Sequence, residues 1–289
     1  MIKITNCSLY LQILSIFTDP IKNALSFRSL SAYNISITFD GKSTMVYPSG
    51  NTIAVGDYYG IAVNGQAVVV KNASISSASS KGITPIAVVF STTTSSTDQG
   101  HGWTHGYAIS LNDATSGAWK SSSVSLPDLT IWGSEGYKYS TMKDFLDGYT
   151  ETMTIKNTSG YSSSTYPLCY NALNYSIATP KSSTGWYLPS VGQWHHFLYN
   201  LGRYTETPLN NNTSWWYFAI GTGLSAINSY FTKVGGTLFA QNCNYGCSSC
   251  LTTDEACCLS ITDQYIGIDE DGPLNYYEYT FYCRPVLAF

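Results

Sequence analysis

GWYLPSVGQWHHFLYNL, residues 185–201, is the stretch from which the rest of the chain is read. Pro189 and Ser190 stand where a helix would begin: proline is pre-set for the first turn, and a serine hydroxyl caps orphan backbone amides. Val191, Trp194, Phe197, Leu198 and Leu201 then recur at i, i+3, i+4 spacing, which predicts a helix over 189–201 with one apolar stripe. His195 and His196 sit beside Trp194, one at the core edge and the other toward solvent. Adjacent positions lack the i, i+4 spacing of metal-ligating histidines on a helix, so the pair reads as structural.

Outward from this helix, two more are expected. Tyr139–Tyr149 (YSTMKDFLDGY) starts at a Ser140 or Thr141 cap and puts Met142, Phe145 and Leu146 on one face. Leu224–Val234 (LSAINSYFTKV) is stopped by Gly235-Gly236. ISITF, IAVGDYYGIAV and QAVVV within 34–75, IAVVFS at 86–91 and GYAISL at 106–111 read as strands. SISSASSKG (74–82) is a turn-rich linker, and TTTSSTDQGHGWTH is a polar loop in which His101 and His105 flank Trp103 as structural residues. A few helices in a mostly β chain indicate α+β.

Only 11% of the 289 residues are charged, while tyrosine numbers 24 and the net charge is −4. Hydroxyls and amides thus supply solubility, the profile of an extracellular or virion β-rich protein. A negative balance argues against nucleic acid and anionic membranes as partners. No stretch approaches the ~20 apolar residues of a membrane span, so no insertion is expected. Residues 1–33 are a leader or an N-terminal arm: Lys3 precedes LYLQILSIF (9–17), but Gln12 interrupts that run and no clear cleavage site follows. Residues 34–80 are a small β-rich region.

The stretch from Asn242 to Phe289 holds six of the eight cysteines, at 243, 247, 250, 257, 258 and 283, with spacings that match no disulfide framework. Cys243, Cys247 and Cys250 give C-x3-C-x2-C without the second half of a zinc site. Asp269-Glu270-Asp271-Gly272 lacks the twelve-residue ligand pattern of a calcium loop. No metal and no cofactor are expected. Tyrosines here, with Asn and Ser, form a set like an antibody paratope: rigid contact area joined to adaptable hydrogen bonds. Asp263, Asp269, Glu270 and Asp271 bias such a face toward cationic or sugar partners. Arg284 and Pro285 close the fold, the arginine pairing with an acidic group.

The opening string resembles the G-W-x-L-P-S-x-x-(E/Q)-(W/L) signature of bacterial proteins with a C-type-lectin-like fold of the formylglycine-generating-enzyme type. That family includes the major paralogous surface domains and the variable proteins of diversity-generating retroelements. Three other pieces are similar in order: ITPIAVVFSTTTSSTDQGHGWTHGYAISLND (83–113), CSSCLTTDEACCLSI (247–261) and FYCRPVLAF (281–289). At the 247–261 piece Gly246 or Cys247 stands where the family prefers tryptophan, and Ala256, Leu259 and Ile261 keep the buried alternation.

The resemblance implies a C-type-lectin-like domain over 81–289, with residues from about 83 to 241 as scaffold and 242–282 as a variable recognition tail. Adenine-directed diversification of an asparagine codon never yields Lys, Glu, Gln, Met or Trp. From Asn242 to Tyr282 only Glu255, Gln264, Glu270 and Glu278 fall outside the reachable set. The expected ligand contacts are Asn242, Asn244, Tyr245, Cys247, Cys250, Cys257, Cys258, Ser260, Asp263, Tyr265, Tyr276, Tyr277 and Tyr279. The implied function is non-enzymatic binding of a protein or glycan receptor on a cell surface, from a phage tail tip or a bacterial surface. A trimer is the homo-oligomer such proteins often form, though no heptad or collagen-like repeat demands it. Two alternatives remain open, a surface or pilus-associated adhesin of fixed specificity and a thiol-dependent oxidase of the same fold. An acidic tail raises thiol pKa values and weighs against the oxidase.

Overall fold

The apolar run at 86–91 becomes the middle of a sheet. The computed structural model describes residues 52–129, 139–204, 208, 216–251, 255–269 and 279–289. In chain order these form β1 (Tyr58–Ala62), β2 (Ala67–Val70), two 3-10 turns (Asn72–Ser77 and Ser79–Lys81) and β3 (Ile83–Ser91). Next come α1 (Ser96–Gly100), β4 (Tyr107–Ser110), β5 (Ala114–Gly117), α2 (Tyr139–Met142), α3 (Gly148–Asn157) and α4 (Pro167–Leu173). The rest is α5 (Val191–Leu201), β6 (Trp216–Ala219), α6 (Gly223–Thr232), β7 (Cys243–Cys250), β8 (Ala256–Ile261), β9 (Tyr265–Asp269), β10 (Phe281–Cys283) and β11 (Val286–Ala288).

The architecture is α+β, with helices packed on two sheets. One has the order β11-β4-β3-β1-β2 and the other β5-β10-β7-β8-β9-β6. Every pairing is antiparallel except that of β10 with β7. Along β3, Val88 and Phe90 face the main core, while Ala87 and Val89 face a second one with Tyr59, Leu287 and Phe289. An unbroken apolar run suits such a strand, because both of its faces are covered.

Helix α5 packs against β3 of one sheet and β7, β8 and β9 of the other. Its start is a full capping box: Ser190 Oγ accepts from Gln193 N, and Gln193 Oε1 accepts from Ser190 N. Trp194, Phe197, Leu198 and Leu201 are all fully buried. The Trp194 ring lies 5.4 Å from Phe197 and 6.2 Å from Tyr245.

The helix expected over 139–149 is broken in two. Phe145 O is taken by Ser190 Oγ at 2.6 Å and by Gly192 N at 3.1 Å, so that carbonyl serves the start of α5 instead of its own helix. The 74–82 linker is two 3-10 turns that bury Ile75 and Ala78. The division expected at residue 80 coincides with no gap in the packing, because β1 pairs with β3 in one sheet. ISITF and the 1–33 segment lie outside the described residues. Among the described residues no helix is long and apolar enough to cross a membrane.

Three helices were not expected: the short α1 inside the polar loop before β4, α3 and α4. α3 buries Gly148, Glu151, Thr152 and Ile155, a helical spacing carried by side chains that no apolar stripe would flag. With α4 it covers the second face of β7, forming a smaller core of Ile155, Leu168, Cys169, Ala172, Cys250, Ala256, Cys258, Phe281 and Cys283. Gly246 marks the close approach: a Cβ there would meet Leu168 Cδ2 at 2.2 Å. Arg284, fully buried, donates through Nε to Asp113, through Nη1 to Leu111 O at 3.0 Å and through Nη2 to Thr237 O at 3.0 Å. It also lies over Phe239 at 4.4 Å, and so closes the fold as an acid-paired arginine.

Candidate functional site

The expected recognition tail divides between core and surface. Tyr245 is 1% exposed and Cys247, Cys250, Cys257 and Cys258 are fully buried, so a ligand cannot touch them, and their assignment as contacts is corrected. The reason is position: β7 and β8 occupy the middle of the six-stranded sheet, and at these residues one or the other core covers the side chains. Cysteine there acts as a small hydrophobe. Tyr245 packs 4.8 Å from Phe239 and accepts a hydrogen bond from Ala240 N. Cys247 Sγ donates to Cys257 O at 2.9 Å. Ala256, Leu259 and Ile261 are buried as anchors, as their alternation implies.

Ser248 and Ser249, also buried, donate to Glu151 Oε2 at 2.7 and 2.8 Å. Ser249 Oγ in turn accepts from Val191 N at 3.3 Å. One carboxylate thereby ties α3 to β7 and the start of α5. Burial raises Glu151 from its ordinary value to about 7, opposed by the two serine hydroxyls.

What stays outside gathers near the β8–β9 turn. Asn242, Asp263 and Tyr265 are exposed, while Asn244 and Ser260 are half-buried. Asn242 takes a left-handed φ of 58°, which asparagine tolerates better than most residues. Thr262 Oγ1 holds the turn by accepting from Tyr265 N at 2.8 Å. Register sets Asn244 opposite Ser260, Ser260 opposite Gly267, and Gly267 opposite Tyr217. Opposed residues of antiparallel strands share a face, so this row runs across the outer side of β7, β8, β9 and β6. The Tyr217 and Tyr265 rings meet at 4.4 Å beside the side-chain-free Gly267. Tyr279 is exposed on the approach to β10; Tyr276 and Tyr277 lie outside the described residues.

Two surface tyrosines were missed by sequence reasoning. Tyr282 is 40% exposed between buried Phe281 and Cys283, a period-2 signal legible in FYC. Tyr217 sits outside the expected tail, and only the pairing of β6 with β9 brings it to the face.

Several of the thiols are held in the protonated, weakly nucleophilic form. Burial pushes Cys247 and Cys250 well above the ordinary thiol value and raises Cys169 to about 12. Among the described residues no group of three or more His, Cys, Asp or Glu side chains could hold a metal ion.

No protein-family model matches the chain, and no curated protein matches it. A similar solved structure is that of a fimbrial protein from Bacteroides ovatus ATCC 8483, with a TM-score of 0.54 and 15% identity. The match covers 82% of this chain and 49% of that one, so the chain spans about half the length of the fimbrial protein. At that identity the likeness is one of fold.

Proposed function

We propose that this protein is a non-enzymatic adhesin of a cell surface that binds a protein or glycan receptor through the outer face of β7, β8, β9 and β6. The observation that carries the reading is the row Asn244–Ser260–Gly267–Tyr217 with Tyr265 beside it, an aromatic pair flanked by an amide and a hydroxyl. Tyrosine offers wide contact area at low entropic cost, and short polar side chains add directional bonds. The sheet beneath is anchored by buried side chains, so the face is pre-organised. The fold likeness to a fimbrial protein supports a surface location, and the buried high-pKa thiols support a binding role over thiol chemistry.

A finer reading places this face on a C-type-lectin-like frame diversified by a retroelement and displayed on a phage tail or a bacterial surface. It is favoured by one observation: the outward residues Asn242, Asn244, Ser260, Asp263, Tyr265 and Tyr279 belong to the adenine-reachable alphabet, with exposed Gln264 as the exception in that turn. A near-identical repeat differing only at adenines, beside a reverse transcriptase in the neighbouring DNA, is the expected finding. Its absence leaves an adhesin of fixed specificity.

The test of the binding face is adhesion of labelled protein to bacterial and epithelial cells, pretreated with protease or with glycosidase to identify the receptor class. Replacing Tyr217 and Tyr265 together by alanine is expected to weaken binding by tenfold or more, about 1.4 kcal/mol or above. Unchanged adhesion of that variant would overturn the assignment of the face.

A further inference from the structure

Away from the sheet face, a polar cleft of about 540 Å³ opens beside α5, lined among others by Tyr139, Lys143, Asp144, His196, Tyr199 and Asn200. We propose that this cleft binds one neutral pyranoside unit, such as a terminal hexose of a glycan. The proposal is independent of the sheet face.

Charge selects the class. Lys143 Nζ stands 3.3 Å from the Asp144 carboxylate, so the cation and the anion of the lining offset each other. Burial drives both imidazoles toward the neutral form, His195 to about 4 and His196 below its ordinary value. The cleft therefore offers a phosphate or carboxylate no uncompensated cation, and an amine no uncompensated anion.

Hydrogen bonding narrows the class further. Ser91 Oγ donates to Thr93 O at 2.8 Å, the shortest of its contacts. His196 Nδ1 lies 3.3 Å from that oxygen, and in the tautomer that donates from Nδ1 the Nε2 atom is a lone-pair acceptor. Asn200 Nδ2 donates to Phe90 O at 2.8 Å, leaving Oδ1 as a second acceptor. Lys143 supplies donors.

One wall is aromatic. Tyr199, 44% exposed, stacks on His195 at 5.9 Å and 30°, and Tyr139 Oη meets His195 Nε2 at 3.1 Å. The wall is thus fixed before any ligand arrives. Interleaved acceptors and donors facing a flat ring match vicinal hydroxyls on a sugar whose C–H face lies on an aromatic.

Saturation-transfer NMR on the whole protein with methyl hexosides, lactose, maltose and chitobiose tests this. At least one is expected to bind with a dissociation constant on the order of 1 mM or tighter. Tyr199→Ala should abolish the ring-proton signal without shifting thermal unfolding, and His196→Phe should weaken binding about tenfold, the loss of one hydrogen bond. Tyr217→Ala with Tyr265→Ala should leave it unchanged, which separates this site from the adhesive face. No saturable binding of any neutral sugar, binding indifferent to Tyr199→Ala, or tighter binding of a nucleoside or of sialyllactose would each overturn the proposal.

Discussion

Ser249 donates its hydroxyl proton to Glu151 across 2.8 Å, joining a central strand to a helix whose sequence carries no apolar stripe. With Ser248 donating to the same oxygen and Val191 N bonding to Ser249, three elements meet at one buried carboxyl group.

That group makes stability depend on pH. Its folded value of about 7 exceeds the ordinary 4.5, so the folded state holds its proton more tightly than the unfolded one. The resulting stabilisation is complete below about pH 4.5, falls as pH rises and is gone above about 7, a change of about 3 kcal/mol. His195, lowered to about 4, acts oppositely as pH falls below its ordinary 6.5. Urea titrations of wild type and Glu151→Gln from pH 4.5 to 8 isolate the first effect. The difference between the two proteins should shift by about 3 kcal/mol in the variant's favour as pH rises.

Arg284 is fully buried, and removing it leaves Asp113 and the carbonyls of Leu111 and Thr237 without their donor. Arg284→Ala is expected to destabilise by about 3–5 kcal/mol in chemical denaturation. Arg284→Lys should recover only part of that, because an ammonium cannot reproduce the planar fork.

Gly246→Ala forces a methyl toward Leu168 and should destabilise by about 1–3 kcal/mol. Leu168→Ala alone opens a cavity and should cost about 2–5 kcal/mol. Made together, the two changes should destabilise less than their sum, and a double-mutant cycle on unfolding free energies reads the coupling.

Alanine substitution along the tail should sort into two groups. Tyr245→Ala is expected to destabilise by about 3–5 kcal/mol, as for other buried aromatics. Tyr265→Ala and Tyr279→Ala should stay within about 0.5 kcal/mol of wild type. Thermal unfolding of the three variants checks the division.

The tail cysteines should be inert in the native protein. Peptide mapping after iodoacetamide treatment should find Cys247, Cys250, Cys257, Cys258 and Cys283 unlabelled under native conditions and labelled in denaturant, since all five are buried.

The contrast between α5 and β7 explains what the sequence made legible. α5 announces itself because Pro189, Ser190 and the stripe from Val191 to Leu201 all agree. β7 (CNYGCSSC) is built from residues equally at home on a surface. Its burial depends on Glu151, distant in sequence, satisfying Ser248 and Ser249, and on α4 covering Gly246. α3 stayed hidden for the same reason, since Glu151 and Thr152 occupy its inner face. The candidate face was half visible: Tyr265 and Asn244 lie within the expected tail, whereas Tyr217 reaches it only through tertiary pairing.

The pairing of β11 with β4 sets the timing of assembly. Val286 registers with Ile109, and Phe289 N bonds back to Gly106 O, across most of the described chain. During synthesis β4 emerges long before the strand that completes it. Long-range closure of this kind slows folding far more than it lowers stability. Until Arg284 and β11 have docked, Asp113 lacks its guanidinium partner and the edge of β4 stands open. Docking of β11 is therefore the step that covers that open edge of the five-stranded sheet.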